Sequence, residues 1–304
     1  MSVLTIATRE SALALWQAEF IAQRLRALDE SLEVRLLGMT TKGDRWLNSP
    51  LSEVGGKGLF VKELEQAMVD GHADLAVHSC KDLPAQLPPG FELIATGYRG
   101  DVRDAIVSPR FGTVDALPQG ARVGTSSLRR AAQLLARRPD LQCAPVRGNV
   151  GTRLAKLDAG DYDALILAAA GLDRLELSQR VGEYLATHVS LPAAGQGALS
   201  IECANTASAA TKDRLRALNE PDVSNCVSAE RAVSAGLGAD CSMPLAAYAT
   251  LAGDTLSLSA LVASADGTQI IRGQAAGRVG EPLALGQEVA EQLLTQGAAR
   301  LLMS

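Results

Sequence analysis

Two short stretches, Gly124-Thr125-Ser126-Ser127-Leu128-Arg129-Arg130 and Val146-Arg147-Gly148-Asn149-Val150-Gly151-Thr152-Arg153, concentrate arginine among small turn residues. Each reads as a strand end, a turn of Gly, Ser, Thr or Asn, and a helix start. Unpaired backbone N–H groups and the helix dipole attract an anion at such a place. Arginine adds a planar fork that grips carboxylate or phosphate through two hydrogen bonds. The pattern points to a local anion site built from Arg129, Arg130, Arg147 and Arg153, open to phosphate, nucleotide or carboxylate. Arg137 and Arg138 lie beyond the first turn and read as solvated helix-surface residues.

Two further segments carry reactive groups. His78-Ser79-Cys80-Lys81-Asp82-Leu83-Pro84 follows the apolar run Ala73–Val77, which places it at a strand's C-terminal edge, where open α/β sheets bind ligands. Asp82 is the candidate catalytic carboxylate, although capping a turn before Pro84 is the commoner use of such an aspartate. Lys81 is a candidate carboxylate ligand, with a solvated lysine as the alternative. Cys80 has no His–Asn or His–Asp partner pattern and is not read as a nucleophile. Cys241 sits in a loop of small residues, Gly236–Pro244, that exposes a thiol. Cys143, Cys203 and Cys226 fall in strands or a helix and read as small hydrophobes. Asp240 opposes thiolate character at Cys241 unless arginines lie close.

These groups need a scaffold. Val3–Ala7, Ser11–Leu28, Leu32–Leu37, Leu59–Val69, Ala73–His78 and Phe91–Thr96 alternate strand and helix patterns, the mark of an α/β lobe. A second set of the same class runs through Asp104–Val107, Ala121–Gly124, Ser127–Ala136, Leu141–Val146, Asn149–Asp158, Tyr162–Ala168 and Leu172–Leu175. The apolar run Leu199–Cys203 is expected to cross back to the first sheet, implying a hinge and a cleft. From Pro221 the pattern changes to helix Ser224–Ala235, strands Ala246–Leu251, Thr255–Ala263 and Gln269–Gln274, and helix Pro282–Leu294. The expected domains are 1–97 with 197–216, then 102–192, then 219–304. The glycine-bearing stretch Thr40–Lys57 is long enough to be a functional lid.

Composition excludes several classes. The chain has 304 residues, net charge −5, 47% hydrophobic and 3% aromatic residues, which disfavours nucleic-acid binding by phosphate neutralisation or base stacking. No apolar run approaches the roughly 20 residues of a membrane span, and the N-terminus lacks a signal-peptide layout, so no membrane partner and a cytoplasmic location are expected. Five cysteines without a CxxC pair and three histidines support neither a disulfide framework nor a metal site. Gly55-Gly56-Lys57-Gly58 lacks the Ser or Thr of a phosphate loop, and no GxGxxG follows a strand. On the residues alone, an enzyme and a two-lobed carboxylate-binding module both stay open, but the module needs neither Cys241 nor Asp82.

Six segments, Ile6–Gln17, Gly55–Phe60, Val77–Pro84, Val123–Arg130, Arg147–Arg153 and Leu191–Ala198, resemble in matching order the porphobilinogen deaminase (hydroxymethylbilane synthase) family across essentially the whole chain. The resemblance implies an α/β fold of two periplasmic-binding-protein-like lobes around a cleft, with a small α+β C-terminal domain, acting as a monomer. It implies polymerisation of four porphobilinogens to hydroxymethylbilane in tetrapyrrole biosynthesis. A dipyrromethane cofactor, made from substrate, would be joined by a thioether to Cys241. Asp82 would be catalytic, meeting pyrrole N–H groups and stabilising the cationic azafulvene left when ammonia departs. Lys81, Thr125, Ser126, Ser127, Arg129, Arg130 and Gly197 would hold the cofactor. Arg9, Ser11, Lys57, Ser79, Arg147, Arg153, Arg174 and Gln196 would hold substrate and the growing chain. Each added unit brings an acetate and a propionate, so many cations have a use. The chain departs from the family at Ala239-Asp240, where two glycines are common, and at Cys80, where methionine is frequent.

Overall fold

Among the described residues, apolar strand runs assemble into three sheets, against which helices pack an apolar face. The computed structural model describes residues 3–45, 61–239 and 243–302. In lobe 1 the chain forms β1 (Val3–Arg9), α1 (Ala12–Leu28), β2 (Glu33–Met39), α2 (Lys42–Arg45), α3 (Lys62–Val69), β3 (Leu75–Ser79) and β4 (Phe91–Gly97). Helix α1 begins at Ser11, whose hydroxyl accepts the Ala14 N–H at 3.4 Å. Its residues Ala18, Ile21, Ala22 and Leu25 share one face, as the helical period requires. They pack on Leu4, Ile6, Val34, Leu75 and Val77. Burying side chains such as Ile21 and Leu25 stabilises the fold by about 1.5–3 kcal/mol each.

Lobe 2 contains β5 (Asp104–Val107), β6 (Arg122–Gly124), α4 (Leu128–Arg137), β7 (Gln142–Ala144), α5 (Val150–Asp158), β8 (Ala164–Ala168), α6 (Ala169–Arg174) and β9 (Glu183–Leu185). Its sheet order is β7-β6-β8-β5-β9, with β5 antiparallel to both neighbours. The chain then returns as β10 (Leu199–Ala204), which enters lobe 1 antiparallel between β3 and β4 in the order β2-β1-β3-β10-β4. The apolar run Leu199–Cys203 thus fills an interior slot of a sheet whose preceding strand, β4, ended at Gly97, with the whole of lobe 2 inserted between them.

Helix α7 (Ala209–Arg216) leads to the C-terminal domain: α8 (Pro221–Gly236), the antiparallel strands β11 (Leu245–Ala252), β12 (Thr255–Ala263) and β13 (Ile270–Arg278), then α9 (Pro282–Thr295) and α10 (Ala298–Leu302). Ala229 and Val233 of α8 and Leu285, Val289 and Leu293 of α9 cover Leu256 and Leu258 of the sheet. Several elements differ from the sequence patterning. Leu172–Leu175 closes helix α6 instead of forming an element of its own. Strand β9 has only three residues, and α7 buries only Leu215, so neither shows a measurable period. Among the described residues no helix is long and apolar enough to cross a membrane.

Candidate active site

Both arginine turns adopt the strand–turn–helix form. Ser127 caps α4 by accepting the Arg130 N–H, and Asn149 caps α5 by accepting the Thr152 N–H. Such caps satisfy backbone donors that would otherwise be orphaned. The two turns are also tied together, because Ser126 Oγ donates to the Val146 carbonyl at 2.7 Å and accepts the Val146 N–H at 3.1 Å. Thr125 is buried, and its hydroxyl accepts the Ser127 N–H. The hydroxyls of Thr125, Ser126 and Ser127 therefore shape the turns. Gly148 has φ +109°, and a Cβ there would stand 2.6 Å from the Thr152 methyl, so the second turn requires glycine.

Arg129 and Arg130 are not solvated. Both are buried around the fully buried Asp104 of β5. Arg129 donates Nη1 to Asp104 Oδ2 at 2.7 Å and Nη2 to Oδ1 at 3.1 Å, and Arg130 donates Nε to Oδ1 at 2.8 Å. Gln196 Nε2 and Ser190 Oγ complete the carboxylate's shell at 3.0 and 2.8 Å. Burial alone would raise the Asp104 pKa, but the two guanidiniums and these hydrogen bonds hold it far below the usual carboxylate range. Two guanidiniums against one carboxylate leave the node with a net positive charge. Asp104 was not among the residues singled out from the sequence, although an ionisable group heading the short buried strand Asp-Ala-Ile-Val was a signal that it is paired.

The segment after β3 faces this node. Cys80–Asp82 forms one tight helical turn, pinned where the Cys80 N–H donates to the Ala198 carbonyl at 3.0 Å. Asp82 is exposed and lines a cavity of about 70 Å³ with Arg9, Ser11, Gln17 and Ser79. Gln17 Nε2 donates to Ser79 Oγ at 2.8 Å. Lys81 Nζ lies 3.5 Å from Gln196 Oε1. Its pKa is pushed down to about 8, first by burial and then by Arg130, with Asp82 and Asp104 opposing. Arg153 donates Nε to the Gly148 carbonyl at 2.8 Å. Burial and then Arg130 bring its pKa down to about 10, with Asp82 opposing and Arg147 and Arg9 adding to the fall. Arg153 is thus repelled by Arg130, Arg147 and Arg9, and Lys81 by Arg130 and Arg129, while the Asp82 carboxylate attracts both. Repulsion of this kind is a standing preference for a multivalent anion.

Arg174 is placed elsewhere. It is buried with its guanidinium 5.6 Å from the Trp16 ring and 5.3 Å from the Tyr98 ring, and donates Nη2 to the Gly197 carbonyl at 2.6 Å. Its Nε is buried without a hydrogen-bond partner. Gly197 has φ +85°, and a Cβ there would lie 2.6 Å from the Gly100 carbonyl oxygen, so the two inter-lobe crossings touch at this glycine. Gln196 is fully buried at the same junction. Gln133 and Gln17 were also missed from the sequence; Gln133 brackets Leu191, accepting its N–H at 2.7 Å and donating to its carbonyl at 3.1 Å. Arg137 and Arg138 pair with Asp115 and Asp140 on the surface. Lys57, Phe60 and Cys241 lie outside the described residues. Of the other cysteines, burial raises the thiol pKa of Cys80 and Cys226 and takes Cys143 and Cys203 to about 11, so none of the four is poised as a thiolate.

The arrangement can hold a polycarboxylate against an exposed carboxylate. A dipyrromethane fits it on the structure's own terms, since its acidic side chains would meet the excess positive charge around Arg129 and Arg130 while its ring N–H groups are donors suited to Asp82.

Family models and curated relatives agree. A family model described as porphobilinogen deaminase, dipyromethane cofactor binding domain, matches residues 4–212, and one described as porphobilinogen deaminase, C-terminal domain, matches residues 224–295. The porphobilinogen deaminase of Thiobacillus denitrificans is 55% identical over 304 residues, covering 99% of this chain and 98% of that protein. That of Chromobacterium violaceum is 55% identical over 302 residues, covering 99% and 97%. Among solved structures, the Bordetella pertussis BvgS periplasmic VFT2 domain aligns with TM-score 0.41 at 16% identity, covering 70% of this chain and 85% of that one. A marine metagenome TRAP solute binding protein specific for aromatic acid ligands aligns with TM-score 0.42 at 12% identity, covering 72% and 75%.

Proposed function

The chain belongs to the porphobilinogen deaminase family, and on that premise we propose that it condenses four porphobilinogens, with loss of ammonia at each step, into the linear tetrapyrrole hydroxymethylbilane. Cys241 would hold the dipyrromethane through a thioether, and the bound group would supply the pyrrole carbon that accepts the first unit. Asp82 serves the reacting ring: positive charge develops there as ammonia leaves, and a fixed carboxylate lowers that barrier electrostatically. Lys81, Arg129 and Arg130, on the turn shaped by Thr125, Ser126 and Ser127, hold the primer's carboxylates, with Gly197 at the adjoining junction. Arg9, Ser11, Ser79, Arg147, Arg153 and Lys57 take the carboxylates of incoming and growing units. Gln196 and Arg174 act at the junction between lobes. The single observation that carries this reading is the exposed Asp82 carboxylate, which shares a cavity with Arg9 and acts electrostatically on Lys81, Arg130 and Arg153.

The working unit is a cytoplasmic monomer of three domains, 1–97 with 197–216, 102–192 and 219–304, without nucleic-acid or membrane partners. The three sheets and the crossings at Arg99–Arg103 and near Gln196 support that division.

Intact-protein mass spectrometry together with a porphobilinogen-consumption assay using Ehrlich's reagent tests the proposal. The purified protein should exceed the chain mass by one dipyrromethane, and Cys241→Ser should lose both the increment and tetrapyrrole formation. An unmodified, fully active Cys241→Ser protein would sink the reading.

A further inference from the structure

A second cavity, of about 400 Å³, opens between lobe 1 and the C-terminal domain and shares no lining residue with the cavity around Asp82. Its size falls within the range of small-molecule sites, roughly 300–1,000 Å³. Thr96 of β4 lines it from lobe 1, Asn219 stands where the C-terminal domain begins, Leu283 of α9 supplies apolar surface, and Ser224, Ser228 and Arg231 face it from α8. The spacing of those three residues, four and then three apart, puts them on one helix face. Among the described residues, Arg231 is the only charged one of the lining. Its Nη2 donates to the carbonyls of Pro84 and Ala85 at 2.8 and 3.1 Å. No carboxylate among the described residues pairs with it.

A guanidinium whose protein partners are two carbonyls keeps its charge uncompensated and its other N–H donors available, and a carboxylate satisfies both needs at once. We propose that this cavity binds a small organic monocarboxylate, its carboxylate on Arg231 with the Ser224 and Ser228 hydroxyls and its apolar body against Leu283. The same guanidinium holds Pro84 and Ala85, two and three residues beyond Asp82. Occupancy is therefore coupled to the segment that positions Asp82, and the site regulates turnover from outside the cleft.

The test uses the holoprotein, with 3-phenylpropionate as the probe and 3-phenylpropanol as its neutral control, followed by calorimetry and by turnover. The expected result is one saturable site for the acid, binding the alcohol at least tenfold more weakly, with inhibition that porphobilinogen does not relieve. Ser228→Leu and Ser224→Leu fill the cavity while leaving Arg231 on its carbonyls. Each should turn over like the parent, bind the acid at least tenfold more weakly and escape inhibition. Arg231→Gln should weaken binding similarly. Absence of saturable binding at about 10 mM, well above a 1 mM Kd, would overturn the site. So would affinity unchanged by both filling variants, or purely competitive inhibition, which would place the acid in the cleft. Saturable binding with unaltered turnover would overturn the coupling to Asp82. The calorimetric arm does not depend on the proposed activity, so its failure is distinguishable from a failure of that reading.

Discussion

Asp104 and Arg129 are joined by two hydrogen bonds, of 2.7 and 3.1 Å, with both side chains buried. The pair holds Arg129 in place against the Leu191 carbonyl, which Nη1 also reaches at 2.6 Å. Anchoring of this kind keeps a cluster of like charges assembled before any ligand arrives.

Asp104→Asn therefore leaves two buried guanidiniums without their counter-charge. Removing one partner of a buried pair costs about 3–5 kcal/mol, and chemical denaturation should show a loss of that size. The pH dependence has a definite sign. The folded pKa of Asp104 lies below its unfolded value, so its contribution is present above about pH 4 and is lost as the pH falls from there toward the folded pKa. The variant should lose part of the parent's acid-induced drop in stability; an unchanged acid limb would assign that drop elsewhere.

Lys81 titrates in an accessible range. Its pKa of about 8 in the fold, against 10.5 for an ordinary lysine, means that the folded protein binds fewer protons than the unfolded chain between those values. The group's contribution to stability thus rises with pH across that window, while the cation offered to a carboxylate is lost above about pH 8. Acquisition of the primer by the apoprotein should slow as the pH passes 8. In Lys81→Arg, which stays charged, that limb should vanish, and its persistence would exclude Lys81 as the source.

Asp82→Ala should lower kcat by about 10²–10³-fold or more, the scale for removing a preorganised electrostatic stabiliser, with a smaller change in KM. Asp82→Glu should recover part of the rate. Single-turnover measurements with porphobilinogen separate the chemical step from binding, and a normal rate in Asp82→Ala would remove the assigned role.

Glu230 is fully buried and joins three parts of the chain. It accepts Arg99 Nη1 and Nη2 at 2.8 and 3.0 Å, the Gly195 N–H at 2.7 Å and the Ala249 N–H at 2.8 Å. Glu230→Gln sets an NH₂ group against a backbone donor and removes the charge facing Arg99. Thermal unfolding should show a loss on the order of 3–5 kcal/mol, and a near-neutral variant would show that the junction is held by packing.

The arginine turns were legible because local chemistry writes them. Ser127 and Asn149 are favoured N-caps, Gly148 meets a demand for positive φ, and arginines one turn into a helix report what the turn faces. The partner of Arg129 and Arg130 was not legible. Asp104 reaches them only because β5 lies antiparallel in a sheet whose order no local pattern encodes. Arg174 shows the same limit: only the family resemblance named it, and the fold sets its guanidinium against the Trp16 and Tyr98 rings at the crossing of the lobes. Strand β9 and helix α7 escaped because one or two buried residues define no period.

The position of β10 has a consequence for synthesis. Strands β3 and β4 are neighbours only through β10, which is made after the whole of lobe 2. A nascent chain that has released residues 1–97 from the ribosome therefore carries a sheet with an open slot and two unpaired edges, the kind of surface that invites wrong pairing. Lobe 2 can complete its own sheet by Leu185, before lobe 1 can. The order of folding thus inverts the order of translation, and the first lobe to emerge must wait for the second.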